Sequence, residues 1–192
     1  MFLTKSFSCF FLLACASCLP SLYGPIIENI GADPFTFMMF NDGKNIVITY
    51  RHHKDAEIFE NTGTTFTLKQ VLTSTINSYD IWMTKDAKYL YLNRISQVLV
   101  LENMNGTFSI IQVLTDLSAC ISTSSSYDGE YLILGNATSR VLIYQLNGQY
   151  TLFQTITDSS AKIEGMPVTS DKSTIAMGGN DQFIRIYKMV GG

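Results

Sequence analysis

The residues with chemically useful side chains are few and widely spaced along this chain. Its only basic cluster is residues 51–54, which read Arg-His-His-Lys and contain both histidines of the sequence. Neighbouring side chains on an extended segment point in opposite directions, and a zinc ion needs about three or four ligands. We therefore expect this segment to form a solvated loop or a contact for a small anion, and we expect no metal site.

Established catalytic signatures are missing from the sequence. It contains no G-x-S-x-G, H-E-x-x-H, P-loop or calcium-loop pattern. We therefore expect neither an identifiable catalytic residue nor a bound cofactor. Two Asn-x-Thr sequons, at Asn105 and Asn136, are candidate glycosylation sites if the chain enters a eukaryotic secretory pathway.

The composition indicates a folded domain and excludes two classes of protein. The 192 residues include 13 Lys and Arg against 16 Asp and Glu, a formal net charge of -3. Apolar residues make up 46% and charged residues 15%, whereas disordered chains combine low hydrophobicity with high charge. Since basic residues are not in excess, we expect no nucleic-acid partner.

Three kinds of landmark recur along the chain at intervals of 42 to 44 residues. An aspartate at a turn occurs at Asp42, Asp86, Asp128 and Asp171. A glutamine that precedes a large aliphatic residue by two positions occurs at Gln70, Gln112 and Gln154. An aromatic residue four positions before each glutamine occurs at Phe66, Phe108 and Tyr150. A period of about 40 to 45 residues is typical of propeller blades.

Each repeat has the pattern of four strands joined by short turns. The second strand is densely apolar, as in Tyr-Leu-Tyr-Leu at 89–92, which is typical of a strand covered on both faces. The fourth alternates between apolar and polar residues, as an outer strand with one wet face should. No segment has a helical period. We predict an all-β fold, a β-propeller of about four four-stranded antiparallel blades, as a complete or a partial ring.

This pattern resembles the WD40-repeat family of β-propellers. Residues 176–188 are similar to that family's glycine-containing segment, its Asp-containing turn and the strand that ends in its Trp-Asp pair. The pair is replaced here by Tyr187 and Lys188, and the family's Gly-His dipeptide is missing, so the repeats are degenerate. The family's Asp before the third strand is matched by Asp181 and Asp55. YVTN-like and lactonase-like propellers, which have the same strand order, fit the pattern almost as well.

The repeats predict a propeller domain over residues 23–192. Its blades are expected near 35–72, 79–114, 119–156 and 163–192, and the last one lacks a fourth strand. Residues 23–30 resemble the fourth strand of the second blade, so they are a candidate closing strand, as the resemblance to WD40 rings implies. Three forms stay open: a closed four-blade ring, an eight-blade ring made by a homodimer, and a partial gene product.

The first 18 residues predict a secretory signal peptide. Lys5 is followed by an apolar run and then by Ala14-Cys15-Ala16, the A-x-A pattern of a cleavage site. A stable membrane span needs about 20 apolar residues, and this run is shorter. We expect a secreted or lumenal protein, with a membrane anchor as the alternative.

The predicted fold favours binding over catalysis. The first strand of each blade borders the central channel of a propeller. These strands offer Thr36, Asp80, the hydroxyl-rich residues 122–126 and Glu164. Two acids in separate blades are few for a metal-dependent lactonase. We therefore expect a non-enzymatic scaffold whose loops bind a protein or an extracellular ligand. The alternative is a lactonase-like hydrolase at the channel, which convergence of Asp80 and Glu164 would favour.

Overall fold

The computed structural model describes residues 34–50, 54–75, 77–115 and 117–188, which form four consecutive antiparallel sheets. Sheet one contains β1 (Pro34–Phe40), β2 (Asn45–Tyr50), β3 (Ala56–Asn61) and β4 (Phe66–Leu72). Sheet two contains β5 (Asp80–Met83), β6 (Tyr89–Arg94), β7 (Gln97–Met104) and β8 (Thr107–Leu114). Sheet three contains β9 (Cys120–Ser125), β10 (Tyr131–Asn136), β11 (Val141–Asn147) and β12 (Gln149–Ile156). Sheet four contains β13 (Ile163–Gly165), β14 (Thr174–Gly179) and β15 (Ile184–Lys188).

Each sheet is a meander in which sequence neighbours pair, and the sheets are the blades of a propeller. The first strands β1, β5, β9 and β13 lie side by side in that order, so they are the inner strands. This arrangement confirms the predicted all-β propeller, with three strands rather than four in the described part of blade four. Among the described residues, no helix could cross a membrane. The predicted signal peptide, the closing strand at 23–30 and the two histidines lie outside the described residues.

The repeated aspartates close the turn between the first and second strands of a blade. Thr84 Oγ1 donates a hydrogen bond to Asp86 Oδ1 at 2.7 Å, and the Lys88 N–H donates to the same oxygen at 3.0 Å. In blade three, Ser126 Oγ donates to Asp128 Oδ1 at 2.9 Å. Carboxylates that accept turn N–H groups stabilise such reversals of the chain. A hydroxyl two positions before the aspartate therefore belongs to the repeat in blades two, three and four, whereas blade one has Phe40 there, and the sequence landmarks did not include it.

The repeated glutamines clamp the outer strands of adjacent blades together. Gln70 Nε2 donates to the Phe108 carbonyl at 2.7 Å, and the Phe108 N–H donates to Gln70 Oε1 at 2.9 Å. Gln112 makes the same pair of bonds with Tyr150, at 2.8 Å and 2.7 Å. The equivalent Gln154 is exposed, and its side chain makes no hydrogen bond in the part of the chain that the structure describes. Two of the three sequence landmarks are thus the two ends of one inter-blade contact.

Candidate channel site

Positions on the inner strands repeat at one level beside the channel. Thr36, Asp80 and Ser122 each pair with the corresponding residue of the second strand in their blade. Asp80 and Ser122 both reach forward to the next inner strand. These three predicted site residues therefore lie on equivalent rungs, with different side chains on each. In blade four the equivalent rung holds Gly165, which pairs with Gly178, and the predicted Glu164 lies in the irregularity between Ile163 and Gly165.

The Asp80 carboxylate is held between blades two and three. Its Oδ1 accepts a hydrogen bond from the Ile81 N–H at 3.0 Å, and its Oδ2 accepts one from the Thr123 N–H at 3.1 Å. Burial raises the pKa of Asp80 from 3.8 to about 6, even though these hydrogen bonds favour the charged form. At neutral pH the group is a carboxylate of unusual basicity, which suits a proton acceptor.

A buried polar network lies directly beside Asp80. Asn93, the cross-strand partner of Asp80, donates from Nδ2 to Cys120 Sγ at 3.1 Å and to Thr123 Oγ1 at 3.2 Å. Its Oδ1 is buried without a hydrogen-bond partner. An unpaired buried acceptor is costly, so this seam has hydrogen-bonding capacity for a further donor. Burial raises the pKa of Cys120 to about 12, so its thiol stays protonated and is not a nucleophile.

The hydroxyl-rich residues 122–126 serve the seams between blades. Ser122 Oγ donates to the Ile163 carbonyl of blade four at 3.2 Å. Ser125 Oγ accepts from Trp82 Nε1 of blade two at 3.0 Å. All five residues are buried, because successive side chains of an inner strand face the two neighbouring blades alternately. The hydroxyls of Ser122 and Ser125 are thus structural partners across the seams, whereas Ser124 Oγ is buried without a hydrogen-bond partner.

The two channel acids have separate environments. Glu164 is exposed and forms an ion pair with Lys162 at 3.2 Å, whereas Asp80 bonds to main-chain N–H groups. No hydrogen bond or ion pair among the described residues joins the two carboxylates. Within the same ranges, no group of three or more acids, cysteines or histidines could hold a metal ion. The chemistry of this level therefore centres on Asp80.

Only the last residue of the basic cluster at 51–54 is described. Lys54 Nζ forms an ion pair with Glu57 Oε2 at 2.9 Å and lies 4.1 Å from the centroid of the Tyr50 ring. The Tyr50 hydroxyl donates to the same carboxylate oxygen at 2.5 Å. This part of the cluster neutralises a buried glutamate within blade one.

The two sequons differ in accessibility. Asn105 is exposed in the turn between β7 and β8, where its φ of 56° is accommodated. Asn136 is buried, and its Oδ1 accepts hydrogen bonds from the N–H groups of Thr138 at 3.1 Å and Arg140 at 2.8 Å. A glycan would fit the folded chain at Asn105, whereas Asn136 would have to leave its turn to carry one.

Comparison with known proteins places the chain by fold. No family model matches it, and no curated protein matches its sequence significantly. A solved structure from Bacteroides fragilis, provisionally named a 6-phosphogluconolactonase, has a TM-score of 0.67 and 16% identity over 81% of this chain and 50% of its own. A similarly named structure from Bacteroides uniformis has a TM-score of 0.69 and 17% identity over the same shares.

These similarities support a β-propeller, and they do not distinguish WD40 repeats from other propeller types. This chain spans about half the length of the solved structures that it matches. The four blades therefore follow the arc of half of a larger propeller.

Proposed function

We propose that this chain contributes to a lactonase-like hydrolase whose site lies at the central channel. Asp80 acts as the general base in this proposal. It is the described carboxyl group that combines an inner-strand position, burial and a pKa raised to about 6. The proposal also draws on the fold that the chain shares with proteins provisionally named as 6-phosphogluconolactonases. The placement of Asp80 is the observation that carries it.

The reaction needs one proton acceptor close to the lactone carbonyl. Asp80 accepts a proton from a water molecule as the water oxygen bonds to the carbonyl carbon. The acyl C–O bond of the ring then breaks, and the ring oxygen takes up a proton to become a hydroxyl group. The product is an open-chain hydroxy acid, so the atoms balance without an oxidant or a metal.

Non-enzymatic binding is the second candidate function, and one observation favours it. The two channel acids have separate partners, Glu164 with Lys162 and Asp80 with the main chain. A ring level with a lone carboxylate can bind a polyhydroxylated ligand without transforming it. In that case the channel is a recognition site for a partner or a small polar ligand.

Hydrolysis of a sugar-acid δ-lactone tests the two candidates together. We expect the protein to accelerate ring opening above the spontaneous rate, followed by acid release at constant pH. Asp80→Asn should lower the rate by about a hundredfold or more, which is typical for loss of a general base. Glu102→Gln is the matched control, since it removes a carboxylate on β7, which is not an inner strand, and should leave the rate unchanged.

The outcomes separate catalysis from binding. Saturable binding of the lactone or its hydroxy acid without acceleration would reject the hydrolase and support the recognition site. Neither binding nor acceleration by a folded protein would reject both. Equal losses in Asp80→Asn and Glu102→Gln would remove Asp80 from the proposed role.

A further inference from the structure

Blade four ends in an uncovered apolar face. Ile184 and Ile186 on β15 are 80% and 70% exposed. The equivalent positions on β7, Val98 and Val100, are both 0% exposed, because blade three packs over them. On β11 the equivalent residues are also buried, in the cluster shared with blade four. The same face is thus covered in every blade that is followed by another described blade.

Blade one begins with the matching uncovered face. Phe37 and Met39 on β1 are 58% and 55% exposed. One repeat later, Ile81 and Met83 occupy the same positions on β5 and are buried against blade one. Exposed clusters of large apolar side chains are unusual on soluble monomers and mark contact surfaces.

The contact between blades one and two shows what fits these faces. There the forward face of blade one, with Ala56 and Ile58, packs against the backward face of blade two, with Ile81 and Met83. Ile184 and Ile186 are the forward residues of blade four, equivalent to Ala56 and Ile58. The forward face of blade four and the backward face of blade one are therefore the two halves of a contact that the fold already makes.

We propose that two copies of this chain pack head to tail, so that blade four of each copy covers blade one of the other. The four blades match half of larger propellers, and the two end faces of half a ring lie apart and both face the missing half. Two half rings joined at both ends close an eight-blade ring with twofold symmetry, which leaves neither face exposed.

The backward face of blade one also carries a charged residue. Glu57 occupies the position that Leu99 occupies in blade two, as the register of both blades shows. Its carboxylate is buried and bound by Lys54 and Tyr50, so the face presents a neutralised group to a partner. The pairing rests on the fold and not on the proposed hydrolysis, although it would complete the channel.

The mass of the protein in solution tests the pairing without any substrate. Sedimentation equilibrium of the whole chain should give twice the mass of a single chain, which is 21.4 kDa before any processing. Changing Ile184 and Ile186 to Asp should weaken association by at least about a hundredfold, since two apolar contacts are replaced by buried charges. Ile95→Asp and Met104→Asp are matched controls, because both residues are exposed at the ends of β7, Ile95 in the connection before the strand and Met104 as its last residue.

Mixing two variants tests the head-to-tail arrangement. The variant with both isoleucines changed keeps the backward face of blade one unaltered. A Met39→Asp variant keeps the forward face of blade four unaltered. We expect each to be monomeric alone and the equimolar mixture to form pairs joined at the one intact contact. Circular dichroism should be unchanged in both, since the altered residues are exposed in a single chain.

Three results would overturn the proposal. The first is a monomer at every concentration, which would mean that other blades or another partner, and not a second copy, cover the end faces. The second is a mass that grows beyond two chains, which would show open-ended association. The third is an unchanged mass in the Ile184 and Ile186 variant. None of these three results depends on lactone hydrolysis, so none of them would decide whether the proposed hydrolase function is correct.

Discussion

Replacing Gln112 by Ala tests whether the repeated glutamines hold the blades together. The side chain makes two hydrogen bonds, at 2.8 Å and 2.7 Å, with the main chain of Tyr150 in the next blade. A net hydrogen bond contributes about 0.5–1.5 kcal/mol, and unpaired groups left in a buried residue raise the cost. Since Tyr150 is buried, we expect Gln112→Ala to lower the free energy of unfolding by about 2–3 kcal/mol.

The chain provides its own control for this experiment. Gln154 lies at the equivalent position one blade later, is exposed, and makes no side-chain hydrogen bond among the described residues. Gln154→Ala therefore removes the same side chain from the same type of strand without removing the clamp. Its effect should stay within about 0.5 kcal/mol, as for ordinary surface substitutions.

Urea denaturation followed by the fluorescence of Trp82 is the appropriate assay. Trp82 is the only tryptophan, and its Nε1 donates to Ser125 Oγ across the boundary between blades two and three. The probe therefore reports on the boundary that Gln112 spans, even if the blades do not unfold together. Equal losses of stability in Gln112→Ala and Gln154→Ala would refute the clamp.

Three further predictions concern single positions. Because the pKa of Asp80 is raised from 3.8 to about 6, wild-type stability should fall as the pH rises through this range. Asp80→Asn should remove that dependence, so above pH 6 the free energy of unfolding of the variant should exceed that of the wild type by up to about 3 kcal/mol. Thermal unfolding at several pH values measures this difference. Gly179→Ala would force a β-carbon into a main-chain carbonyl oxygen and should cost about 2 kcal/mol or more, whereas the neighbouring Gly178→Ala meets open space; calorimetry of the two variants measures the difference. When the protein is secreted from eukaryotic cells, we expect a glycan at Asn105, which a glycosidase removes with a loss of mass. Asn105→Gln should abolish this loss of mass, and Asn136→Gln should leave it unchanged.

The repeat made the fold predictable because every blade meets the same requirements. A turn after the inner strand needs an acceptor for its N–H groups, and an aspartate supplies one, as Asp86 does. An outer strand needs a link to the next blade, and Gln70 and Gln112 supply it. Such requirements recur at a fixed interval, so they appear in the sequence as a period.

Lys172 shows where the pattern is modified. It follows Asp171 at a position that is glycine in two other blades, and its φ of 61° lies in the left-handed region. Its Nζ forms ion pairs with Asp128 at 2.6 Å and with Glu130. These contacts hold the pKa of Asp128 at about 2, below its usual range. The sequence shows the departure from glycine, but the partners belong to the preceding blade and only the packing of the blades brings them close.

The site was less predictable than the fold because direction matters as much as position. Residues 122–126 lie on an inner strand as predicted, yet their side chains alternate between two neighbouring blades and bond to them. Nothing in the sequence indicated that the buried Asn93 belongs to the site, apart from its position near the end of an apolar strand. Its significance comes from Asp80 and Cys120, which are distant in sequence and meet it only at the seam.

Comparing the blades with one another separates structural positions from functional ones. The turn aspartate recurs in all four blades, and the clamp glutamine makes its hydrogen bonds where another outer strand follows, at Gln70 and Gln112. The channel rung instead reads Thr36, Asp80, Ser122 and Gly165, although these positions are equivalent in register. A position that varies while its surroundings repeat is not required by the fold, and at Asp80 it holds a partly buried carboxyl group whose pKa is raised. A partly buried charge that the fold does not require is retained at a cost in stability, and a role in the chemistry of the channel is the reason for retaining it that we propose to test.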